Sequence, residues 1–198
     1  KYFLGSEKNV LERFYKCAKK YKADTIVRIT ADCPLVDFEI LDKMIGVFLN
    51  KKPDYLSNTL ELFYPDGLDI EIFNFKSLEI AFKKSKTSFY KEHVTFYITK
   101  NISKFKILNF KENKYSNNSN IRLTLDNNYD LIMINKLFSH FNYNLNITYK
   151  KISKLIQRNP EFFLINKIFK RNYGLKNEKN RYSFENAKKI IPTGNQML

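Results

Sequence analysis

Two spacings of apolar residues alternate along this chain. After Gly5-Ser6, the positions Val10, Leu11, Phe14, Ala18 and Tyr21 recur every three or four residues. That spacing predicts an amphipathic helix with Ser6 as its N-cap. Residues Thr25 to Thr30 are rich in β-branched side chains, with Ile26, Val27 and Ile29 apolar, and predict a buried strand. Pro34 cannot join a ladder and drives Cys33 out of helical space, so the strand stops there. Asp37 then stands as an N-cap before Ile40, Leu41, Met44, Ile45 and Phe48, predicting a helix over 37–50. A short strand follows at 54–58. Beyond the turn Pro65-Asp66-Gly67, residues Leu68, Ile70 and Ile72 alternate with Asp69 and Glu71 at the two-residue period of a strand. The pattern continues with helices at 76–84 and through Lys91–Ile98, and a strand at 105–110. A polar loop over 111–120 leads to a strand at 121–126. A helix opens at Asn127, and two more at 148–158 and 161–170 are separated by Asn159-Pro160. Strands and helices in this order predict an α/β domain with a mixed sheet flanked by helices.

Two of these strands end in a carboxylate, Asp32 and Asp126. In open α/β sheets, ligands bind beyond the C-terminal ends of strands. Asp69 and Glu71 share one strand face. They are ordinary surface charges if that face looks into solvent, and candidate ligands if it lines a cleft. Asp130 sits in the first turn of the helix after Asp126, where the helix dipole favours a negative charge. His93 has no Cys or second His nearby, so a metal role is disfavoured. His140 reads as structural.

Composition narrows the choices. With 198 residues the chain is long enough for one domain with a real core. The formal charge of +15 raises nucleic-acid binding as an option. Its lysines, however, are spread evenly among Asn, Ile, Tyr and Phe, which indicates a general bias rather than a dedicated nucleic-acid patch. Such a surface would still attract anionic ligands. No stretch approaches the ~20 apolar residues of a membrane span, and the N-terminus lacks the apolar region of a signal peptide. Cys17 and Cys33 form no metal or disulfide pattern and predict reduced thiols in a cytoplasmic protein.

Several phrases carry a family resemblance. Arg28-Ile29-Thr30-Ala31-Asp32-Cys33-Pro34-Leu35 resembles the signature of the spore-coat-polysaccharide-type cytidylyltransferases, relatives of the enzymes that activate acidic sugars as CMP-sugars. Similar phrases are Gly5-Ser6-Glu7 leading to Arg13, Pro65-Asp66-Gly67-Leu68-Asp69 with Glu71 and Phe73, Glu92-His93-Val94-Thr95, and Arg122 with Thr124-Leu125-Asp126 and Asp130-Leu131. Where the family usually has Pro-Glu, this chain has Asn128-Tyr129, a departure that touches helix initiation rather than chemistry.

The resemblance covers roughly residues 1–170 and implies a nucleotide-diphospho-sugar transferase-like, Rossmann-like fold. It implies transfer of CMP from CTP to a sugar, with Asp32 and Asp126 as the catalytic carboxylates that bind Mg2+. Arg13, Arg28, Arg122 and His93 become candidate contacts to phosphate, base or sugar. Asp69 and Glu71 fall beside the acceptor-sugar pocket. Family members begin with a strand and a Gly-rich basic loop that cradles the triphosphate. That loop is expected upstream of Lys1, so the chain reads as N-terminally truncated and a poor binder of CTP by itself. A homodimer is compatible with this reading.

From Arg171 the sequence turns polar, as in a linker, and Ser183 to Gly194 resembles the opening helix of a class III, pyridoxal-phosphate-dependent aminotransferase of the glutamate-1-semialdehyde aminomutase type. Pyridoxal phosphate would then belong only to a downstream domain. A plain C-terminal tail is the alternative. Two other functions stay open for the chain as a whole. One is a glycosyltransferase of similar fold, against which the missing Asp-x-Asp motif counts. The other is a basic nucleic-acid-binding protein.

Overall fold

The structure is a computed structural model and describes residues 2–171. Four short strands form one mixed sheet: β1 (Thr25–Arg28), β2 (Tyr55–Ser57), β3 (Glu71–Asn74) and β4 (Ile107–Asn109), in the order β1-β3-β2-β4. β3 runs antiparallel to both of its neighbours, while β2 and β4 are parallel. Among the described residues, seven helices surround the sheet: α1 (Val10–Lys20), α2 (Phe38–Lys51), α3 (Phe75–Lys84), α4 (Ser88–Glu92), α5 (Phe96–Lys100), α6 (Asn128–His140) and α7 (Tyr149–Arg158).

The alternation of strand side chains divides the core in two. Leu56 and Ile72, which are register partners, point to one face and pack with Met44 and Phe48 of α2, Met133 and Leu137 of α6, and Ile152 of α7. Tyr55 and Phe73, the adjacent register pair, point to the other face and meet Leu11 of α1, Leu78 and Ala81 of α3, and Ile98 of α5. Each fully buried aliphatic or aromatic side chain contributes about 1.5–3 kcal/mol through removal from water. The sheet is therefore covered on both faces, as α/β architecture requires.

Asp37 ties two helices together. One of its carboxylate oxygens accepts the backbone N–H of Glu39 (2.6 Å) and of Ile40 (3.0 Å), capping α2. The other accepts the backbone N–H of Tyr149 at the start of α7. A single buried carboxylate thus satisfies orphan donors of two helix N-termini.

The structure corrects several expectations. Asn9, not Ser6, caps α1; the Ser6 hydroxyl accepts the Asn9 N–H instead. β1 forms where predicted but lies at the edge of the sheet with no fully buried residue, and Val27 and Ile29 are exposed. Leu68, Ile70 and Ile72 are buried as the alternation predicts, but Glu71 between them is buried as well, and ladder pairing starts only at Glu71. The Lys91–Ile98 helix is broken into α4 and α5 at His93–Thr95. Among the described residues, 121–126 join no sheet and form a single bridge, Arg122 with Asp66. The helix expected over 161–170 is a 3-10 segment, Pro160–Leu164, followed by turns. The linker and aminotransferase-like expectations lie almost wholly outside the described residues; Arg171, placed at the start of the linker, is anchored to the folded body.

The turn at Pro65-Asp66-Gly67 decides where residues 121–126 run. Gly67 has φ +100°, and a Cβ there would come within 2.4 Å of the Leu123 carbonyl carbon and the Thr124 nitrogen. Glycine is needed both for the left-handed backbone and for the close chain crossing. Gly67→Ala is therefore expected to destabilise the protein by about 3 kcal/mol, combining strain and overlap. Urea unfolding monitored by circular dichroism measures it, and a change under about 0.5 kcal/mol, typical of a neutral surface substitution, would show that the crossing relaxes freely.

Candidate active site

Two loops meet at the C-terminal end of β1. The loop after β1 turns through Thr30 to Cys33, with the Cys33 N–H donating to the Thr30 carbonyl at 3.1 Å. At its apex the Asp32 carbonyl accepts the Leu125 N–H (2.8 Å) and the Thr124 hydroxyl (3.0 Å). The segment carrying Asp126 is thereby laced to the segment carrying Asp32. The Pro65–Gly67 turn holds the same segment from the other side: the Asp66 N–H donates to the Ile121 carbonyl (2.9 Å) and the Leu123 N–H to the Asp66 carbonyl (2.6 Å).

Around this junction, four aspartates, Asp66, Asp69, Asp126 and Asp130, share two arginines. Arg122, with its side chain 3% exposed, donates Nε to Asp130 (2.9 Å), Nη1 to Asp66 (2.9 Å) and to the Lys170 carbonyl (3.5 Å), and Nη2 to Asp126 and to Asp130 (2.9 Å). All five guanidinium N–H groups are engaged. Arg171 donates to Asp69 and to the Tyr64 carbonyl (3.2 Å), with its Nε 3.6 Å from Asp66. Asp32 forms no ion pair among the described residues. The excess of carboxylates leaves its mark on their acidity. Burial raises the Asp126 carboxyl; Arg122 opposes it, while the charges of Asp32 and Asp130 add to it. Asp66 is raised chiefly by burial, against Arg171 and Arg122. Asp69 is pushed up to about 6, first by burial and then by Asp66, Glu71 and Asp32, with Arg171 opposing.

A second constellation stands on the β1–β3 pair. Arg28 and Glu71 are register partners, and the Arg28 guanidinium donates to the Glu71 carboxylate. The other Glu71 oxygen accepts the hydroxyls of Tyr55 (2.5 Å) and Thr95 (2.6 Å). His93, half-buried beside Arg28, has its pKa lowered by burial and by the Arg28 charge, with Glu92 opposing. It is neutral at pH 7, a hydrogen-bond partner rather than a cation.

The residues expected at the site therefore fall into three groups. Asp32, Asp126 and Asp69 lie together at the strand-end junction, with Arg122 among them but without a donor left to offer a substrate. Glu71, Arg28 and His93 form the adjoining cluster; the Glu71 oxygens are occupied within the protein. Arg13 is apart. It donates to the Ser6 carbonyl at 3.4 Å and lines an apolar groove of about 430 Å³ with Phe3, Phe14 and Tyr21 on the outer side of β1. Among the described residues it has no acidic partner. His140 packs its ring edge-on to Phe141 and Phe162, a structural placement.

The sequence matches the family described as Cytidylyltransferase over residues 2–190, past residue 170 and across most of the chain. The chain belongs to the cytidylyltransferase family. It is 38% identical over 83% of its length to the uncharacterized protein MJ1063 of Methanocaldococcus jannaschii, covering 66% of that protein. It is 31% identical over 80% of its length to the spore coat polysaccharide biosynthesis protein SpsF of Bacillus subtilis, covering 65% of it. A solved cytidylyltransferase from Leptospira borgpetersenii serovar Hardjo-bovis superposes with a TM-score of 0.76 at 32% identity, over 80% of this chain and 66% of that one. The chain thus spans about two-thirds of the length of the curated relatives it matches.

The cytidylyltransferase site also contains residues that sequence reasoning passed over. Asp66 read as a turn residue and Asp130 as a dipole-favoured first-turn acid; both are buried partners of Arg122. Asn166, 1% exposed, donates to Asp130 (2.8 Å) and to the Arg122 carbonyl (3.1 Å). Nothing local in the sequence marks Asn166 or Arg171, whose partners lie 36 and 102 residues away.

The raised Asp69 pKa makes a prediction about pH. A carboxyl held above its ordinary 3.8 contributes stability in its protonated form, complete below about pH 4 and lost as the pH rises through about 6. Asp69→Asn removes that titration. Between pH 4 and 6.5 in metal-free buffer, the melting temperature of Asp69→Asn is expected to gain steadily on that of the wild type. A constant difference across the range would show that Asp69 titrates normally.

Proposed function

We propose that this cytidylyltransferase transfers CMP from CTP to a sugar, with an acidic sugar as the acceptor class, releasing pyrophosphate in the cytoplasm for surface-polysaccharide synthesis. The observation that carries the reading is the lacing of the Asp32 and Asp126 loops beyond the end of β1, within the family's fold. The spore-coat relative supports the polysaccharide setting.

The donor set suits Mg2+. Among the described residues, no three His, Cys, Asp or Glu side chains converge into a full cage. Two carboxylates are a fitting complement for an ion that keeps several waters and takes its other ligands from phosphates. Burial raises the Asp126 carboxyl, with the charges of Asp32 and Asp130 adding to it and Arg122 opposing, so a cation held there would favour its ionised form. Asp32 and Asp126 would hold the ion, which supplies charge stabilisation at the α-phosphate and the departing pyrophosphate.

The chain's own groups do the positioning. In the reaction a sugar hydroxyl attacks the α-phosphorus in line, its proton passes to solvent or a nearby base, and the bond to the pyrophosphate oxygen breaks. Such transfers are driven mainly by orientation and electrostatics. Arg28, fixed at one end by Glu71, presents its charge beside neutral His93, and together they are the candidate contacts for phosphate or sugar oxygens. Asp69 borders the same region and is the candidate contact for acceptor hydroxyls.

The test is pyrophosphate release from CTP, Mg2+ and candidate acidic sugars by the full natural-length protein, in wild type and Asp32→Asn. Removing one charge stabilising the transition state costs on the order of 3 kcal/mol, so turnover is expected to fall about a hundredfold with little change in melting temperature. Equal rates would remove Asp32 from the mechanism, and a large drop in melting temperature would make it a structural residue.

A further inference from the structure

We propose that Arg122 and Asp130 are positioning residues: a buried brace that fixes the orientation of the Asp126 carboxylate. The inference rests on the reading of Asp126 as a metal-holding group and assigns to Arg122 a role other than substrate contact.

The geometry is specific to Asp126. Its backbone N–H donates to one Asp130 oxygen at 3.0 Å, and its carboxylate accepts from Arg122 Nη2. Asp130 in turn receives Nε and Nη2 of Arg122, both at 2.9 Å. The same buried pair therefore pins Asp126 by main chain and by side chain. Asp130 is 0% exposed and is held from behind by the Asn166 amide. It is fixed from below by the Asn127 side chain, which caps α6 and accepts the Asp130 N–H at 3.1 Å. Asp126 itself keeps 34% of its side chain exposed, at the open end of this rigid stack.

Stability alone does not account for the arrangement. A buried ion pair is weak evidence for stability, because desolvation offsets much of its attraction, and apolar replacements of similar volume are often as stable. What an apolar substitute could not do is hold a half-exposed carboxylate at a set angle, and catalytic carboxylates need such support from surrounding hydrogen bonds. The bidentate fork of Arg122 is the part that lysine cannot imitate, although lysine keeps the charge.

Arg122→Lys tests orientation with the net charge unchanged, and Asp130→Asn tests the anchor. Mn2+ binding to the full natural-length protein, followed by electron paramagnetic resonance without nucleotide, reports the metal site directly. It is run well below each variant's melting temperature. Arg122→Lys is expected to bind Mn2+ at least tenfold more weakly and to lose at least tenfold in kcat for pyrophosphate release, with KM for the sugar unchanged. Asp130→Asn is expected to lose in the same direction. A folded Arg122→Lys with a lower melting temperature but wild-type Mn2+ affinity and kcat would make the brace purely structural and overturn the proposal. So would loss of the folded state in both variants. Asp126→Asn serves as the reference. Wild-type Mn2+ binding in it would remove the underlying metal reading and the brace with it. Weakened binding there, beside wild-type binding in Arg122→Lys, would overturn the brace alone.

Discussion

The site depends on one place where a side chain is missing. At Gly67 two backbone segments cross so closely that a single added carbon would overlap the Leu123–Thr124 peptide. That crossing sets the bridge between Asp66 and Arg122 and so brings the Asp66 carboxylate to the guanidinium. It also directs Thr124 and Leu125 to the Asp32 carbonyl, so that two loops far apart in sequence end with their aspartates at one junction. Without the crossing, residues 121–126 would have no reason to run there, since they belong to no sheet.

Charge then has to be managed in a confined volume. Arginine is suited to this, because its planar fork can bond several carboxylates at fixed angles. Arg122 does so for three aspartates and Arg171 for two more contacts at the rim. Burial, with neighbouring carboxylates adding to it, raises the pKa values of Asp66, Asp69 and Asp126 against the pull of the arginines beside them.

Much of the fold was legible because its signals are local. Asp37 before the Ile40, Met44 and Phe48 stripe is a cap and a periodicity contained within one helix, and it appears where expected, as does the helix opening at Asn127. The burial of Leu68, Ile70 and Ile72 was likewise visible, though not that of Glu71 between them. Strand status at 121–126 was not, because an apolar alternation fixes a side-chain pattern but not a hydrogen-bonding partner, and here the partner is a turn. The helix predicted after Pro160 failed for a related reason: its apolar residues Phe163 and Ile165 pack into the core from a 3-10 segment and turn. At the site, Asp32, Asp126 and Arg122 could be picked out by phrase, Arg122 as a substrate contact rather than a partner of buried aspartates. Asn166 and Arg171 could not, since they acquire their roles only through contacts 36 and 102 residues away.

Cys33 carries a last consequence. Its thiol is buried, lies against Thr30 at 3.3 Å, and donates towards the Asp32 carboxylate at 3.6 Å. Burial and the adjacent Asp32 charge push it up to about 12. Thiol chemistry with peroxides and alkylating agents proceeds through the thiolate, which at neutral pH amounts to roughly one part in 10^5 for such a group. A cysteine next to a reactive loop would ordinarily be a weak point under oxidative stress. Here burial, with the neighbouring Asp32 charge adding to it, keeps the sulfur protonated, so the loop is insulated from redox damage by its own packing.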